Sequence, residues 1–240
     1  MTERRTLIVT PTYNERENLE KLVEGIRENA PHAHLLVVDD GSPDGTGDLA
    51  EKLGRGDERI RLLRRPGKMG LASAYLDGFK LALEQGYEVV MEMDADLSHD
   101  PRHLPAMLGA LDRADVAIGS RGVPGGGVEG WGPMRHFISK GGSLYSRLIL
   151  GMPVRDMTTG FKAWKAGVLR AMPLDEVKSE GYAFQIELNY RALRLGFRIE
   201  EVPIIFVDRR AGQSKMSSHI FAEAMWMMWR LRLDALRGRL

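Results

Sequence analysis

The chain has 240 residues and is nearly neutral, with 34 Lys and Arg against 33 Asp and Glu and a formal net charge of +1 at pH 7. This balance argues against a general nucleic-acid binder, which needs a basic excess or a basic stripe to contact phosphates. The absence of Cys excludes disulfides, thiolate metal sites and thiol nucleophiles. With 43% hydrophobic and 28% charged residues, the composition is that of a globular protein with one sizeable core.

The first half of the chain alternates short apolar runs with amphipathic stretches, the pattern of a parallel sheet wrapped by helices. Strands are predicted over residues 6–10, 34–38, 60–63, 89–93 and 116–118. Helices are predicted between them, over residues 18–29, 46–53, 71–85 and 103–111. The alternation then stops near residue 120.

The second half begins with residues 122–132, which contain six Gly among eleven residues, so we predict a mobile loop without regular structure. Helices are predicted beyond it over residues 134–150 and 182–195, with a strand over 199–207 and a helical tail over 220–240. No run of about 18 apolar residues occurs, and the apolar run that stops at Pro11 is too short for a secretion signal. We therefore expect no membrane span and a cytoplasmic protein.

Three polar clusters follow the first, second and fourth predicted strands, where ligands of open α/β sheets bind. They are PTYNE at residues 11–15, DDGSPDGT at 39–46 and DAD at 94–96. The lack of GxGxxG and GxxxxGK[ST] argues against a dinucleotide fold or a P-loop kinase. Asp94 and Asp96 suit a hard divalent ion that also binds substrate phosphates. All three clusters are also compatible with turns and helix starts alone, so both interpretations stay open at this point.

Six segments together carry a family resemblance. They are PTYNE, VDDGSPDGT (38–46), DADLSHDP (94–101), GSR (119–121), RDMTTGF (155–161) and DRRAGQSKMS (208–217). In this order they resemble the dolichol-phosphate mannose synthase family of polyprenyl-phosphate mannosyltransferases, which are inverting enzymes of the glycosyltransferase-A type. The likeness covers about residues 6–217. It implies an α/β fold with a Rossmann-like, mostly parallel sheet flanked by helices, followed here by a C-terminal amphipathic helix.

The resemblance also implies roles for individual residues. The residues implied to contact the nucleotide sugar are Pro11, Tyr13, Glu15, Val38, Asp40, Asp94, Ala95, Asp96, Arg209 and Lys215. The residues implied to bind the metal, Mg²⁺ or Mn²⁺, are Asp94, Asp96 and Ser98. Ser98 stands where some relatives have a glutamine ligand. The residues implied to bind the acceptor phosphate are Arg121, Arg135 and Ser139.

The expected chemistry needs positioning more than proton transfer. A phosphate monoester with a second pKa of about 6 is largely a dianion at pH 7 and already a nucleophile, so no general base is required. The site must align it with the anomeric carbon and relieve charge on the departing diphosphate. We predict Asp96, Arg121, Arg135 and Asp156 as the catalytic set, with Asp156 positioning Arg135 or the acceptor. Gln185 is a further hypothesis, as a residue that faces the sugar.

We predict a single catalytic domain over residues 1–217, with a nucleotide-binding half (1–120) and an acceptor half (121–217), and an amphipathic helix over 218–240. The favoured function is mannose transfer from GDP-mannose to a polyprenyl phosphate of the dolichyl type. The alternatives are a UDP-glucose-dependent polyprenyl-phosphate glucosyltransferase and a non-catalytic nucleotide-sugar-binding subunit.

The tail places charged residues on one helical face and apolar residues on the other. The charged face holds Glu223, Arg230, Asp234 and Arg237, and the apolar face holds Phe221, Met225, Met228, Trp229 and Leu236. This pattern predicts an interfacial helix, a helix packed on the domain, or a dimer contact, and the spacing does not separate them. Since a polyprenyl acceptor stays in the bilayer, we expect peripheral membrane association, with a membrane-anchor protein as a further candidate partner.

Overall fold

A computed structural model describes residues 4–207 and 218–238, and the side chains of residues 133, 135 and 218–224 lie outside its description. The strands are β1 Thr6–Thr12, β2 His34–Asp39, β3 Ile60–Arg64, β4 Val89–Glu92, β5 Val116–Ser120, β6 Gly127–Glu129, β7 Lys162–Lys165, β8 Ile199–Pro203 and β9 Ile205–Val207. The helices are α1 Arg16–Asn29, α2 Thr46–Gly56, α3 Leu71–Glu84, α4 Leu104–Ala110, α5 Pro133–Leu150, α6 Ala166–Ala171, α7 Gly181–Arg194 and α8 Ser218–Leu236.

The centre of the fold is a sheet in the order β3-β2-β1-β4-β7-β5-β8. Its neighbours pair in parallel except β7, which is antiparallel to both β4 and β5. The apolar runs of β1, β2 and β4 are buried because helices cover both faces of the sheet, and two clusters of apolar side chains form the core. The predicted mostly parallel α/β sheet is confirmed, and the unpredicted β7 is a four-residue strand that periodicity does not reveal.

The glycine-rich segment contains one short regular element, so the prediction that it has none is wrong at Gly127–Glu129. These residues form β6, which pairs in parallel with β9 as a separate two-stranded ribbon. The predicted strand over 199–207 is interrupted at Ile204, whose N–H donates to Ser120 in the main sheet, while its carbonyl accepts from Gly127. The chain passes from the sheet to the ribbon at this residue.

The C-terminal helix α8 packs on α5 and α7 and also exposes apolar side chains. Met228, Leu231 and Ala235 are buried in the core, whereas Trp229 and Leu236 are exposed. The predicted apolar face is therefore divided, because the helix turns its Met228 side toward the domain and leaves Trp229 and Leu236 exposed. Across the described ranges, no helix combines the length and apolarity that a membrane crossing requires.

Helix α3 lies unusually close to β1 at Gly78. A Cβ on this residue would stand 2.4 Å from Val9 Cγ1, a distance that real Cβ atoms do not show. Val9 is fully buried in the central sheet and cannot move aside without disturbing its neighbours. Only glycine fits this contact.

We expect Gly78→Ala to lower the free energy of unfolding by about 1–3 kcal/mol, the usual cost of overpacking a core. Gly141→Ala is the matched control, because Gly141 lies inside α5 with nothing within 4 Å of its added Cβ. There we expect a gain of up to about 1 kcal/mol from helix propensity. Urea denaturation of both variants measures the difference, and equal stabilities would contradict the close packing of α3 on β1.

Candidate active site

The polar clusters after β1, β2 and β4 meet at one edge of the sheet because these strands are adjacent and parallel. Backbone bonds extend the pairing past the strand ends. The Asp40 N–H donates to the Thr12 carbonyl at 3.0 Å, and the Met93 N–H donates to the Val9 carbonyl at 3.2 Å. Asp40 and the Asp94–Asp96 turn therefore flank the end of β1.

The segment after β1 is locked to the loop after β2. Asn14 adopts the left-handed conformation with a φ of 63°, which Asn tolerates better than most residues, and its N–H donates to Ser42 Oγ at 3.0 Å. The Glu15 N–H donates to Thr46 Oγ1, also at 3.0 Å. Tyr13 is partly exposed beside this junction, and the Lys68 ammonium lies 4.7 Å from its ring centroid.

The three carboxylates at the end of β2 and in the loop that follows it have different partners. Asp39 accepts hydrogen bonds from Thr12 and Ser42, and Asp44 accepts from the N–H and the hydroxyl of Thr46 at the start of α2. Asp40 instead accepts from the Met69 N–H at 3.2 Å, and its carboxylate lies 3.2 Å from the buried Arg65 guanidinium. Nothing in the sequence around Arg65 predicts that its guanidinium lies beside Asp40.

Pro11 on β1 and Val38 on β2 are two further residues predicted to contact the nucleotide sugar. Pro11 pairs in register with Val38. The Val38 side chain is fully buried in the core. A nucleotide contact at Val38 would therefore have to use its main chain.

The DAD turn holds its two carboxylates in fixed orientations. Ser98 donates to Asp96 Oδ1 from its hydroxyl at 2.6 Å and from its N–H at 3.0 Å. The residue between them, Leu97, has a left-handed φ of 62°, and Ala95 is buried under the turn. Ser98 thus orients the Asp96 carboxylate in this structure.

Two buried side chains, Tyr75 and His99, form hydrogen bonds with Asp94. Tyr75 donates its hydroxyl to Asp94 Oδ1 at 3.0 Å, and His99 Nδ1 accepts the Asp94 N–H at 3.0 Å. Burial, and then the charge of Asp94, raise the pKa of Tyr75 well above its ordinary value, so the hydroxyl keeps its proton.

A buried polar network lies behind Asp94. Glu92 accepts hydrogen bonds from Trp164 at 2.8 Å and from the Gln185 amide at 2.7 Å, while Lys162 donates to the Gln185 backbone carbonyl at 3.0 Å. Burial lowers the pKa of Lys162 to about 8 and raises the pKa of Glu92. The Gln185 side chain is bonded to Glu92 and Lys162 within this network, and the hypothesis that it faces the sugar stays a prediction.

Arg121 follows β5 and forms a buried, two-pronged ion pair with Asp156. Its Nε and Nη2 atoms lie 2.6 and 2.7 Å from the two Asp156 oxygens, and Nη2 also donates to Thr158 Oγ1 at 2.9 Å. Glu201 holds the Asp156 main chain by accepting its N–H at 2.9 Å. Burial alone would raise the pKa of Asp156, but the bonds from Arg121 outweigh it and hold that pKa below its usual range.

Aromatic rings connect this ion pair to the DAD turn and to α5. The Arg121 guanidinium carbon lies 5.3 Å from the Phe206 ring centroid and 5.4 Å from that of Trp131. Phe206 contacts the His99 ring with centroids 5.9 Å apart, and Trp131 contacts His136 in the first turn of α5 at 5.6 Å. The Arg121 guanidinium, the DAD turn and the start of α5 are therefore linked by one chain of side-chain contacts.

The remaining predicted residues can be located only in part. Arg135 and Ser139 both belong to α5, one turn apart, and Ser139 is half-buried. The Arg135 side chain lies outside the description, so its pairing with Asp156 stays a prediction. Arg209 and Lys215 also lie outside the described residues.

Comparison with known proteins establishes the family. Residues 7–177 match the profile of glycosyl transferase family 2. The chain belongs to this family. It is 48% identical to an undecaprenyl-phosphate mannosyltransferase of Micrococcus luteus, over 98% of this chain and 99% of that protein. It is 49% identical to a polyprenol monophosphomannose synthase of Mycolicibacterium smegmatis, over 98% of this chain and 91% of that protein.

Solved structures share the fold at low sequence identity. A glucosyl-3-phosphoglycerate synthase of Mycobacterium tuberculosis superposes with a TM-score of 0.70 at 18% identity, covering 95% of this chain and 80% of that one. A mannosyl-3-phosphoglycerate synthase of Rubrobacter xylanophilus gives 0.67 at 17% identity, covering 99% and 76%. The fold class and the family resemblance inferred from the six motifs are thereby confirmed, while the residue roles and domain limits stay predictions.

We expect Asp156→Asn to lower the free energy of unfolding at pH 7 by about 3–5 kcal/mol, because it leaves the buried Arg121 charge without its partner. Asp156 stabilises the fold above the ordinary carboxyl pKa, and this contribution is lost as the pH falls through its lowered pKa. The control is Asp175→Asn in the exposed Lys80–Asp175 pair, where we expect little or no loss of stability because water screens both charges. Thermal and urea unfolding compare the two, and a small loss in Asp156→Asn would show that the pair contributes little.

Proposed function

We propose that this protein transfers mannose, with inversion, from GDP-mannose to a polyprenyl phosphate. The observation that carries the proposal is that Asp94, Asp96 and the fixed guanidinium of Arg121 all lie at the same edge of the sheet. β4 and β5 both run antiparallel to β7, so their carboxyl ends lie at the same edge of the sheet. The two full-length relatives, at 48 and 49% identity, are named for mannosyl transfer to such lipids, which supports the choice of sugar and acceptor.

A divalent ion, Mg²⁺ or Mn²⁺, fits the residues at the DAD turn when a diphosphate is also present. Among the described residues, no three His, Asp or Glu side chains converge as a protein-only metal site. An ion held by one or two carboxylates plus substrate phosphates needs no such cluster, and Asp94 and Asp96 would hold it. When bound, the ion would neutralise charge on the leaving nucleoside diphosphate. Ser98 supports this arrangement by orienting Asp96, and a direct contact of Ser98 with the metal stays a prediction.

The nucleoside is proposed to bind between the loops after β1 and β2. Tyr13 offers an exposed ring on which a base can stack, and Glu15 and Asp40 offer carboxylates to base or ribose hydrogens. Guanine presents neighbouring N–H donors that a carboxylate can accept together. Arg65 and the Met69 N–H hold Asp40 in one orientation for this contact.

The acceptor phosphate is proposed to bind at Arg121. Asp156 and Thr158 occupy the Nε and Nη2 atoms, and no hydrogen bond among the described residues uses Nη1. A phosphate dianion could therefore accept from Nη1 while the buried ion pair stays intact. Arg135 and Ser139 would complete the phosphate contacts from α5, and Arg209 and Lys215 would contact the donor diphosphate. Asp156 would then act as the residue that positions Arg121.

We expect Asp96→Asn to lower kcat for mannosyl transfer from GDP-mannose to a short polyprenyl phosphate by at least about 100-fold, because the metal loses a carboxylate. Asp100→Asn is the control, since Asp100 caps the neighbouring 3₁₀ turn through Arg102 and has no assigned contact with donor or metal. Radiolabelled product formation in detergent, with and without metal, measures both variants.

The same assay separates the alternatives. Product from UDP-glucose and none from GDP-mannose would replace the donor in the proposal. Stable GDP-mannose binding without turnover on any polyprenyl phosphate would favour a nucleotide-sugar-binding subunit.

We also propose that α5 and α8 contact the membrane surface. Their exposed large apolar side chains are between 39 and 76% accessible and comprise Met134, Phe137, Ile138, Leu144, Leu148, Trp226, Trp229, Leu233 and Leu236. The helices pack together, and Trp229 donates its indole N–H to Tyr145 at 2.8 Å. α5 begins beside Arg121, so a lipid phosphate bound there would have its chain close to this apolar surface.

We expect the double variant Phe137→Ser, Leu148→Ser to weaken binding to vesicles of phosphatidylcholine and phosphatidylglycerol by about 10-fold or more, since both side chains are largely exposed. Leu195→Ser, an exposed change at the end of α7, should leave vesicle binding unchanged. Cosedimentation measures the partitioning, and unfolding temperatures verify that neither variant is destabilised. Equal partitioning by the double variant and the native chain would refute this surface.

A further inference from the structure

We infer that Tyr75 and His99 are positioning residues that hold Asp94 ready for a diphosphate-bound divalent ion. The inference rests on the proposed function, because it assigns these residues to the metal carboxylate of that site. The family resemblance assigns neither residue a contact with the nucleotide sugar or the metal, and both side chains are buried.

Tyr75 reaches Asp94 from the side of α3. Its hydroxyl donates to Asp94 Oδ1 at 3.0 Å, and its ring stacks on Phe184 of α7 with an interplanar angle of 8° and centroids 6.2 Å apart. The ring is fully buried, so the hydroxyl has little freedom to leave this bond. One carboxylate oxygen of Asp94 is thereby held toward the core.

His99 secures the main chain of the same residue. Its Nδ1 accepts the Asp94 N–H at 3.0 Å, which requires the tautomer with the proton on Nε2. That Nε2 lies 3.9 Å from Asp94 Oδ2. The imidazole stacks on Phe161 with an interplanar angle of 12° and centroids 5.0 Å apart, so its plane is fixed by packing.

Together these contacts restrict both the backbone and the carboxylate of Asp94. A metal ligand held in advance loses less conformational freedom on binding, and partners of this kind commonly affect metal affinity by 10- to 100-fold. Phe206 contacts His99 and Arg121, so the same packing relates the orientation of Asp94 to that of the acceptor-side guanidinium.

A purely structural role for the Tyr75 hydroxyl makes a different prediction. The chain offers a matched comparison in Tyr87, which is also fully buried and whose hydroxyl bonds to His34 Nδ1 at 2.7 Å. His34 begins β2, at the opposite edge of the sheet from the site. Removal of either hydroxyl should cost similar stability, but only Tyr75 should affect the metal.

The test measures Mn²⁺ binding in the presence of saturating GDP by electron paramagnetic resonance, without any turnover. We expect Tyr75→Phe to raise the Mn²⁺ Kd by about 10-fold and Tyr87→Phe to change it by less than about twofold. We expect His99→Asn to retain more affinity than His99→Phe, because the Asn side-chain oxygen can accept the Asp94 N–H whereas Phe cannot.

Two negative results have separate meanings. If the native protein binds Mn²⁺ with GDP and Tyr75→Phe binds it equally well, the positioning role is refuted and the proposed function stands. If the native protein binds Mn²⁺ no more tightly with GDP than without it, the metal-dependent donor site and this inference fall together.

Discussion

Backbone pairing of β1 with its two parallel neighbours places the carboxylates of the cleft. The bonds continue beyond the strands, from Asp40 to Thr12 and from Met93 to Val9, so the turns that follow start from defined positions. A slip of one residue in either ladder would turn the side chains of that strand to the opposite face of the sheet. The close approach of α3 at Gly78 opposes such a slip, because β1 is packed against the helix at Val9.

The acceptor side depends on charge rather than on strand register. Arg121 is nearly buried and would be strongly unfavourable without Asp156, whose backbone is in turn held by Glu201 from β8. Antiparallel β7 separates β4 from β5 and sets the distance between the DAD turn and this ion pair. Phe206 and Trp131 then cover the guanidinium, which leaves the Nη1 edge for the proposed phosphate contact.

Much of the candidate site could be predicted because its residues follow predicted strands in short motifs. The DAD turn and the segment after β1 meet at one edge, as the parallel sheet required. The supporting residues could not be predicted in this way. Arg65 and Tyr75 act across distances that depend on how helices and loops pack. His99 lies within the DADLSHDP segment, but its local sequence does not indicate that its ring accepts the Asp94 N–H. The polar pattern around Gln185 likewise does not reveal that it is buried against Glu92.

The sequence by itself determined the alternating α/β pattern, the strand-end carboxylates and the family resemblance, because each depends on local periodicity or on residues close in the chain. Only the tertiary structure decided which side chains support the site and which face of α8 is buried. Those outcomes follow from packing between distant elements, such as Tyr75 against Asp94 and Met228 against the core. The short strands β6 and β7 were also decided by the tertiary structure. Their pairing partners lie far along the chain, and their own residues carry little periodic signal.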